Sequence, residues 1–234
     1  MVTSKAEQRA GVVEAIEAAG LVAVLRRVPA PALLKTVGVL VGAGVRVIEL
    51  TWDGEDTPDR VADVERAFGS RVLLGAGTIL ERRHVEAVAR AGACFVVSPV
   101  FRREVVETGR VRGIVTIPGA FTPTEILEAW SAGGDLVKVF PACAVGPSYF
   151  RELAGPLPEV PLLAVGGITS ATAGDYLAAG ARAVAAGGAL VPMELVRNER
   201  WEDLAAVAGQ FVAAIESWQR SRPVRQLDNR RAVP

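Results

Sequence analysis

Lys138 is the only charged residue in the run Leu136-Val137-Lys138-Val139-Phe140-Pro141. An ammonium is costly to bury, so a lysine among apolar neighbours calls for a physical reason. It can sit in a buried ion pair, pack its stem while its head reaches water, or serve as a nucleophile tuned by desolvation. A second lone charge, Glu49, stands in Val47-Ile48-Glu49-Leu50-Thr51. A desolvated lysine loses its proton more easily and attacks a ketone as a free amine. A carboxylate beside it can shuttle protons while a carbinolamine dehydrates and a C–C bond breaks. The same two residues could instead form a structural ion pair.

Strand alternation predicts that the two groups meet. Leu136, Lys138 and Phe140 share one face of their strand, and Val47, Glu49 and Thr51 share one face of theirs. Ile48, Leu50, Val137 and Val139 then face outward, towards helices. Eight short runs rich in β-branched residues alternate with Ala-rich stretches of helical spacing between residue 21 and the 190s. Regular alternation of strand and helix implies a parallel sheet, and eight such units imply a closed α/β (β/α)8 TIM barrel. An extra N-terminal helix, in residues 1–20, is expected to cover the barrel's N-terminal face, and residues 201–219 to form the closing helix. Residues 1–220 are read as one domain, and residues 221–234, polar and basic without periodicity, as a flexible tail.

Such barrels carry their chemistry where strands end at their C-terminal face. Arg26, Thr51 and Thr78 fall there, after the first, second and third strands, together with Glu49 and Lys138. Gly166-Gly167 follows the seventh strand and Gly187-Gly188 the eighth. Glycines let backbone amides approach a phosphate, and a following helix N-terminus adds partial positive charge.

The totals narrow the class. In 234 residues the 26 basic and 26 acidic side chains balance, which argues against nucleic acid as a partner. No apolar run reaches a membrane-spanning length, so a cytoplasmic protein without membrane contact is expected. The two cysteines, Cys94 and Cys143, are expected to be buried thiols. The one histidine, His84, lies in a charged helical pattern and is expected at the surface, which argues against His-based triads and His-rich metal sites.

The motifs Val-Ile-Glu-Leu-Thr (47–51), Gly-Ala-Gly-Thr (75–78), Ser-Pro (98–99), Ile-Pro-Gly-Ala-Phe-Thr-Pro-Thr-Glu (117–125), Lys-Val-Phe-Pro-Ala (138–142) and Ala-Val-Gly-Gly-Ile-Thr (164–169) resemble, in order and spacing, those of the class I 2-keto-3-deoxy-6-phosphogluconate aldolases. The related 2-keto-3-deoxy-6-phosphogalactonate and 4-hydroxy-2-oxoglutarate aldolases share them. The resemblance implies a homotrimeric barrel that cleaves a 2-keto-3-deoxy-6-phospho sugar acid to pyruvate and glyceraldehyde 3-phosphate. It implies no metal and no cofactor, because the protonated imine is the electron sink. Lys138 is similar to the Schiff-base lysine and Glu49 to the proton-transfer carboxylate. Thr78 and Arg26 resemble residues that contact the pyruvyl carboxylate. Thr51, Pro99 and Phe140 complete the substrate-binding candidates, and Gly166, Gly167, Gly187 and Gly188 fall where the family binds phosphate. A non-catalytic sugar-phosphate-binding barrel, a lapsed aldolase, another phosphate-binding isomerase or synthase, and an aldolase for unphosphorylated 4-hydroxy-2-oxoglutarate are the alternatives.

Three positions depart from the pattern. Asp53 stands where many phosphogluconate aldolases carry an arginine, and would repel a carboxylate if it points inward. Val165, where those enzymes have threonine, and Gly146-Pro147-Ser148-Tyr149-Phe150 match the phosphogalactonate branch. Ala189 stands where a serine commonly binds phosphate, so one hydroxyl donor is lost. Trp52 is expected to narrow the pocket or to pack on a neighbouring subunit.

Overall fold

Nine strand segments arise from the eight β-branched runs because Pro118 interrupts the fifth. In the computed structural model, which describes residues 4–221, the strands are β1 (Leu21–Leu25), β2 (Val47–Thr51), β3 (Leu73–Gly77), β4 (Phe95–Val97), β5 (Val115–Ile117), β6 (Gly119–Ala120), β7 (Val137–Val139), β8 (Leu162–Val165) and β9 (Ala183–Ala186). All pairings are parallel, in the order β5-β4-β3-β2-β1-β9-β8-β7-β6. Proline has no N–H to give to a ladder. Its carbonyl still accepts the Lys138 N–H at 2.9 Å. The two halves of the broken strand therefore close the ring, β5 bonding to β4 and β6 to β7.

The helices are α1 (Lys5–Ala19), α2 (Ala30–Gly42), α3 (Thr57–Phe68), α4 (Arg82–Arg90), α5 (Arg103–Arg112), α6 (Pro123–Ser131), α7 (Gly146–Leu153), α8 (Ser170–Ala178), α9 (Met193–Arg197) and α10 (Trp201–Ser221). A capping box between Ser4 and Glu7 starts α1, and Gly20, in the left-handed region, ends it. This extra helix covers the N-terminal end of the barrel. Its Ile16 is fully buried among Val22, Val47, Leu163 and Ala183 of the barrel interior. Arg9 pairs with Asp135 at 2.7 Å, and the other Asp135 oxygen accepts the Thr116 N–H at 2.9 Å. The closing helix α10 packs against α8 and α2.

Two cores follow from the period-2 alternation. Ile48, Leu50, Val137 and Val139 belong to the outer core, between sheet and helices. Val22, Val24, Val47, Phe95, Leu136 and Leu163 belong to the inner one. Two expectations are corrected. His84 is buried, because it lies on the same side of α4 as Val85 and Val88 and a tryptophan covers it. Cys143 is exposed and Cys94 only half-buried, since Cys143 lies in a 3-10 turn beyond the strand rather than in the sheet. Of the expected tail, residues 222–234 lie outside the described residues. No helix among the described residues is long and apolar enough to cross a membrane.

Candidate active site

Glu49 and Lys138 both enter the barrel mouth and both are buried, at 2% and 6% exposure. No ion pair within 4.0 Å joins them, and the Glu49 Oε2 has no hydrogen-bond partner. Burial pushes the Glu49 carboxyl above its ordinary range, against the pull of Lys138 and then Arg26. Burial likewise pushes the Lys138 ammonium below its ordinary range, opposed by Glu49 and reinforced by Arg26. A satisfied structural ion pair would show a close contact, and this pair shows none. What the mouth holds is an amine and an acid, each biased towards its uncharged form. The Lys138 Nζ also lies 4.8 Å from the centroid of the Phe140 ring, which is 40% exposed at the rim.

Room for the carboxylate comes from missing atoms on the next strand. A Cβ on Gly77 would overlap the Glu49 carboxylate and lie 2.8 Å from its Cγ. A Cβ on Gly75 would collide with the Phe95 ring, which fills the barrel one layer below. The Gly-Ala-Gly-Thr motif thus alternates two voids with an outward Ala76, and then turns at Thr78. Thr78 has φ +61°, a left-handed conformation that costs a β-branched residue on the order of 1–3 kcal/mol. Arg27, at φ +53°, is a second non-glycine residue held in that region. Strain is therefore stored at the ends of β1 and β3, beside the mouth.

The end of β2 carries a brace. Thr51 donates to the Asp53 Oδ1 at 2.6 Å, with the Leu25 carbonyl 3.2 Å away. The Asp53 Oδ2 accepts the Arg27 N–H at 2.6 Å and lies 3.9 Å from Arg60. Arg60 in turn donates to the Val28 carbonyl at 2.6 Å. Asp53 is thus turned towards the β1 loop and does not stand in the mouth as a repelling charge. The Thr51 hydroxyl is committed to that brace. Arg26, two residues beyond inward-facing Val24, extends exposed from the same face, close enough to act on both Lys138 and Glu49.

Trp52 turns away from the mouth. Its ring stacks on His84 with centroids 3.8 Å apart and planes 21° from parallel. Both His84 ring nitrogens are buried without a partner, and burial lowers the imidazole from its ordinary value. Pro99 lines a concavity of about 330 Å³ together with Phe121 and Phe140, its carbonyl held close by Gly119.

The glycine pairs form two turns at the ends of β8 and β9. Gly166 and Gly167 have φ +97° and +72°, and their close neighbours, Phe140 and Cys143, leave no room for a side chain. Thr169 then caps α8 through a capping box. The N–H groups of Gly167, Ile168, Gly188 and Ala189 find no acceptor among the described residues. Unpaired amides next to a helix N-terminus suit an anionic oxygen. A Cβ on Gly187 would make only ordinary contact with Val24, and one on Gly188 would stand in open space. Three features lay beyond sequence reasoning: the Asp53 brace, the Trp52–His84 stack and the space made by Gly75 and Gly77. The adjacency of Thr51 and Asp53 was the one signal available for the first.

Comparison with known proteins follows the same lines. The family profile described as KDPG and KHG aldolase matches residues 12–207. The 2-dehydro-3-deoxy-6-phosphogalactonate aldolase of Escherichia coli K12 is 32% identical over 196 residues, covering 83% of this chain and 93% of that protein. A probable 2-dehydro-3-deoxy-6-phosphogalactonate aldolase of Rhizobium meliloti is 34% identical over 171 residues, covering 73% of this chain and 81% of that protein. Among solved structures, the KDPG aldolase of Legionella pneumophila, with pyruvate captured as a covalent carbinolamine, superposes with a TM-score of 0.78 at 28% identity, covering 84% of this chain and 96% of that one.

Proposed function

The chain belongs to the KDPG and KHG aldolase family, and on that premise we propose that it is a Schiff-base aldolase whose amine is Lys138 and whose proton carrier is Glu49. The observation that carries the reading is the buried pair itself: a lysine and a glutamate share one mouth without an ion pair to neutralise them. The Lys138 Nζ, readily deprotonated in this setting, adds to the C2 ketone of the substrate. Glu49, as the acid, gives a proton to the departing hydroxyl, and water leaves to form the iminium. The C4 hydroxyl then loses its proton to Glu49 while the C3–C4 electron pair flows into the iminium. An aldehyde departs, and an enamine remains on Lys138. Protonation at C3 and hydrolysis return pyruvate and the free amine. The raised pKa of Glu49 suits it to carry that proton in both directions.

Arg26 holds the pyruvyl carboxylate in this reading, beside the turn at Thr78. The free amides of the Gly166–Ile168 and Gly188–Ala189 turns receive the phosphate. The substrate is a 2-keto-3-deoxy-6-phospho sugar acid, and the second product is glyceraldehyde 3-phosphate. Ala189, with no hydroxyl to offer, favours a second substrate class, unphosphorylated 4-hydroxy-2-oxoglutarate. The proposed assembly is a homotrimer, and the exposed apolar residues Val100, Phe121 and Leu127 supply surface for it.

Borohydride reduction in the presence of pyruvate tests the chemistry. One pyruvyl adduct on Lys138, absent from Lys138→Met, is expected. An unmodified protein, or an adduct that survives Lys138→Met, refutes it. Steady-state cleavage of the phosphogluconate, phosphogalactonate and 4-hydroxy-2-oxoglutarate substrates then ranks the three.

A further inference from the structure

Asp53 occupies the position that made the carboxylate grip look compromised, yet its charge is spent on a neighbouring hydroxyl and a backbone amide. Its two oxygens accept from two elements at once: the Thr51 hydroxyl at the end of β2 and the Arg27 amide at the end of β1, each at 2.6 Å. Arg27 is held at φ +53°, where an arginine rarely rests without an external partner. Charge-assisted hydrogen bonds to an amide are among the stronger ones available to offset such strain. Arg60 fixes the far side of the same loop, reaching towards Asp53 at 3.9 Å and donating to the Val28 carbonyl at 2.6 Å. The residue directly before this constrained amide is Arg26. The orientation of the peptide between the two sets where the Arg26 side chain leaves the barrel rim.

We propose that Asp53 is a positioning residue for substrate binding, which holds Arg26 over the Lys138–Glu49 pair by fixing the left-handed backbone at Arg27. The inference rests on the reading of Arg26 as the group that holds the pyruvyl carboxylate. Without the Asp53 carboxylate, Arg27 relaxes to the right-handed region, the preceding peptide turns, and the Arg26 guanidinium leaves its station. The loss falls on capture of the 2-oxo acid and spares the amine chemistry that follows.

The rate of borohydride trapping, measured against pyruvate concentration on the full chain, reads both quantities. Asp53→Ala is expected to raise half-saturating pyruvate about tenfold and to keep the maximal trapping rate within about threefold. Asp53→Asn, almost isosteric and retaining one acceptor, shifts in the same direction by less, and stands in for the alanine variant if that one does not fold. Arg26→Met raises half-saturating pyruvate by a similar factor, and Arg26→Met/Asp53→Ala matches Arg26→Met alone, because Asp53 acts through Arg26. Unchanged half-saturation in both Asp53 variants, or losses that multiply in the double variant, overturns the inference and leaves the aldolase reading intact. Unchanged half-saturation in Arg26→Met overturns the role of Arg26 and this inference with it. Failure of the wild-type protein to trap pyruvate refutes the aldolase reading itself.

Discussion

Replacing Gly77 by alanine perturbs the proposed proton carrier while leaving its own side chain intact. The backbone there is outside the left-handed region, so alanine is conformationally acceptable. The added Cβ, however, would occupy the seat of the Glu49 carboxylate and lie 2.8 Å from its Cγ. To restore ordinary contact the carboxylate has to retreat by about 2 Å. A misplacement of about 1 Å costs a catalytic group roughly a hundredfold. Loss of general acid–base help costs about 10²–10⁴-fold. Gly77→Ala should therefore lower kcat by roughly 10²–10⁴, or about 3–5 kcal/mol of transition-state stabilisation. Overpacking should cost the fold only about 1–3 kcal/mol. Pyruvate release followed through lactate dehydrogenase gives kcat, and prolonged borohydride trapping reports whether Lys138 still forms its imine. Gly75→Ala is the comparison: its Cβ meets the Phe95 ring, so its cost should fall mainly on stability. A Gly77→Ala enzyme with kcat within about threefold of wild type would refute the reasoning, since Glu49 would then need no fixed seat.

Lys138→Met, inactive by the same scheme, should be more stable than wild type by about 1–3 kcal/mol, because it puts an apolar side chain in place of a buried, desolvated amino group that has no ion-pair partner. A melting temperature at or below that of wild type would contradict the burial cost. His84 is pushed below its ordinary 6.5 by burial, with Glu81 and Glu55 pulling up and Arg83 pulling down. The unfolded chain therefore takes the proton first. The contribution of His84 to stability is full above about pH 6.5 and is lost as pH falls below it, through the lowered folded-state value. His84→Phe should keep the stack on Trp52 and flatten that slope, as read from urea midpoints at pH 7 and pH 5; parallel slopes in both proteins would contradict it. Ala189→Ser should restore a hydroxyl donor beside Gly188 and lower KM for a phosphorylated substrate about threefold to tenfold. It should leave 4-hydroxy-2-oxoglutarate unaffected, and equal changes for both substrates would remove the turn from phosphate binding.

How far these features could be read from the sequence depended on how local their causes are. The inward aim of Glu49 and Lys138 follows from a period of two within each strand, so neighbouring residues were enough. The same holds for the outward set Ile48, Leu50, Val137 and Val139. The run Gly-Ile-Val-Thr-Ile-Pro-Gly was read as one strand; its proline signals a lost donor, but that the two halves bond separately to β4 and β7 needed the ring. His84 was misjudged because its cover, Trp52, lies 32 positions away and the residues beside it are charged. Asp53 was judged by charge alone, whereas its partners are the Thr51 hydroxyl, an amide at Arg27 and, farther off, a guanidinium at Arg60. The purpose of Gly75 and Gly77 was hidden for a different reason. A void is defined by what surrounds it, and the surrounding atoms belong to other strands.

Ladder lengths differ between the two strands that carry the reactive groups. Glu49 rides on β2, joined to β1 over four registered pairs and to β3 over five. Lys138 rides on β7, joined to the fragment β6 over two pairs and to β8 over three. Local opening follows the density of such bonds, so the amides of Lys138 and Phe140 should exchange with solvent deuterium well before that of Glu49. The carboxylate then belongs to the rigid frame of the barrel and the amine to a more compliant stave. That division matches their tasks: the proton carrier keeps one address through every step, while the nitrogen must shift as its bonds change from tetrahedral to planar and back.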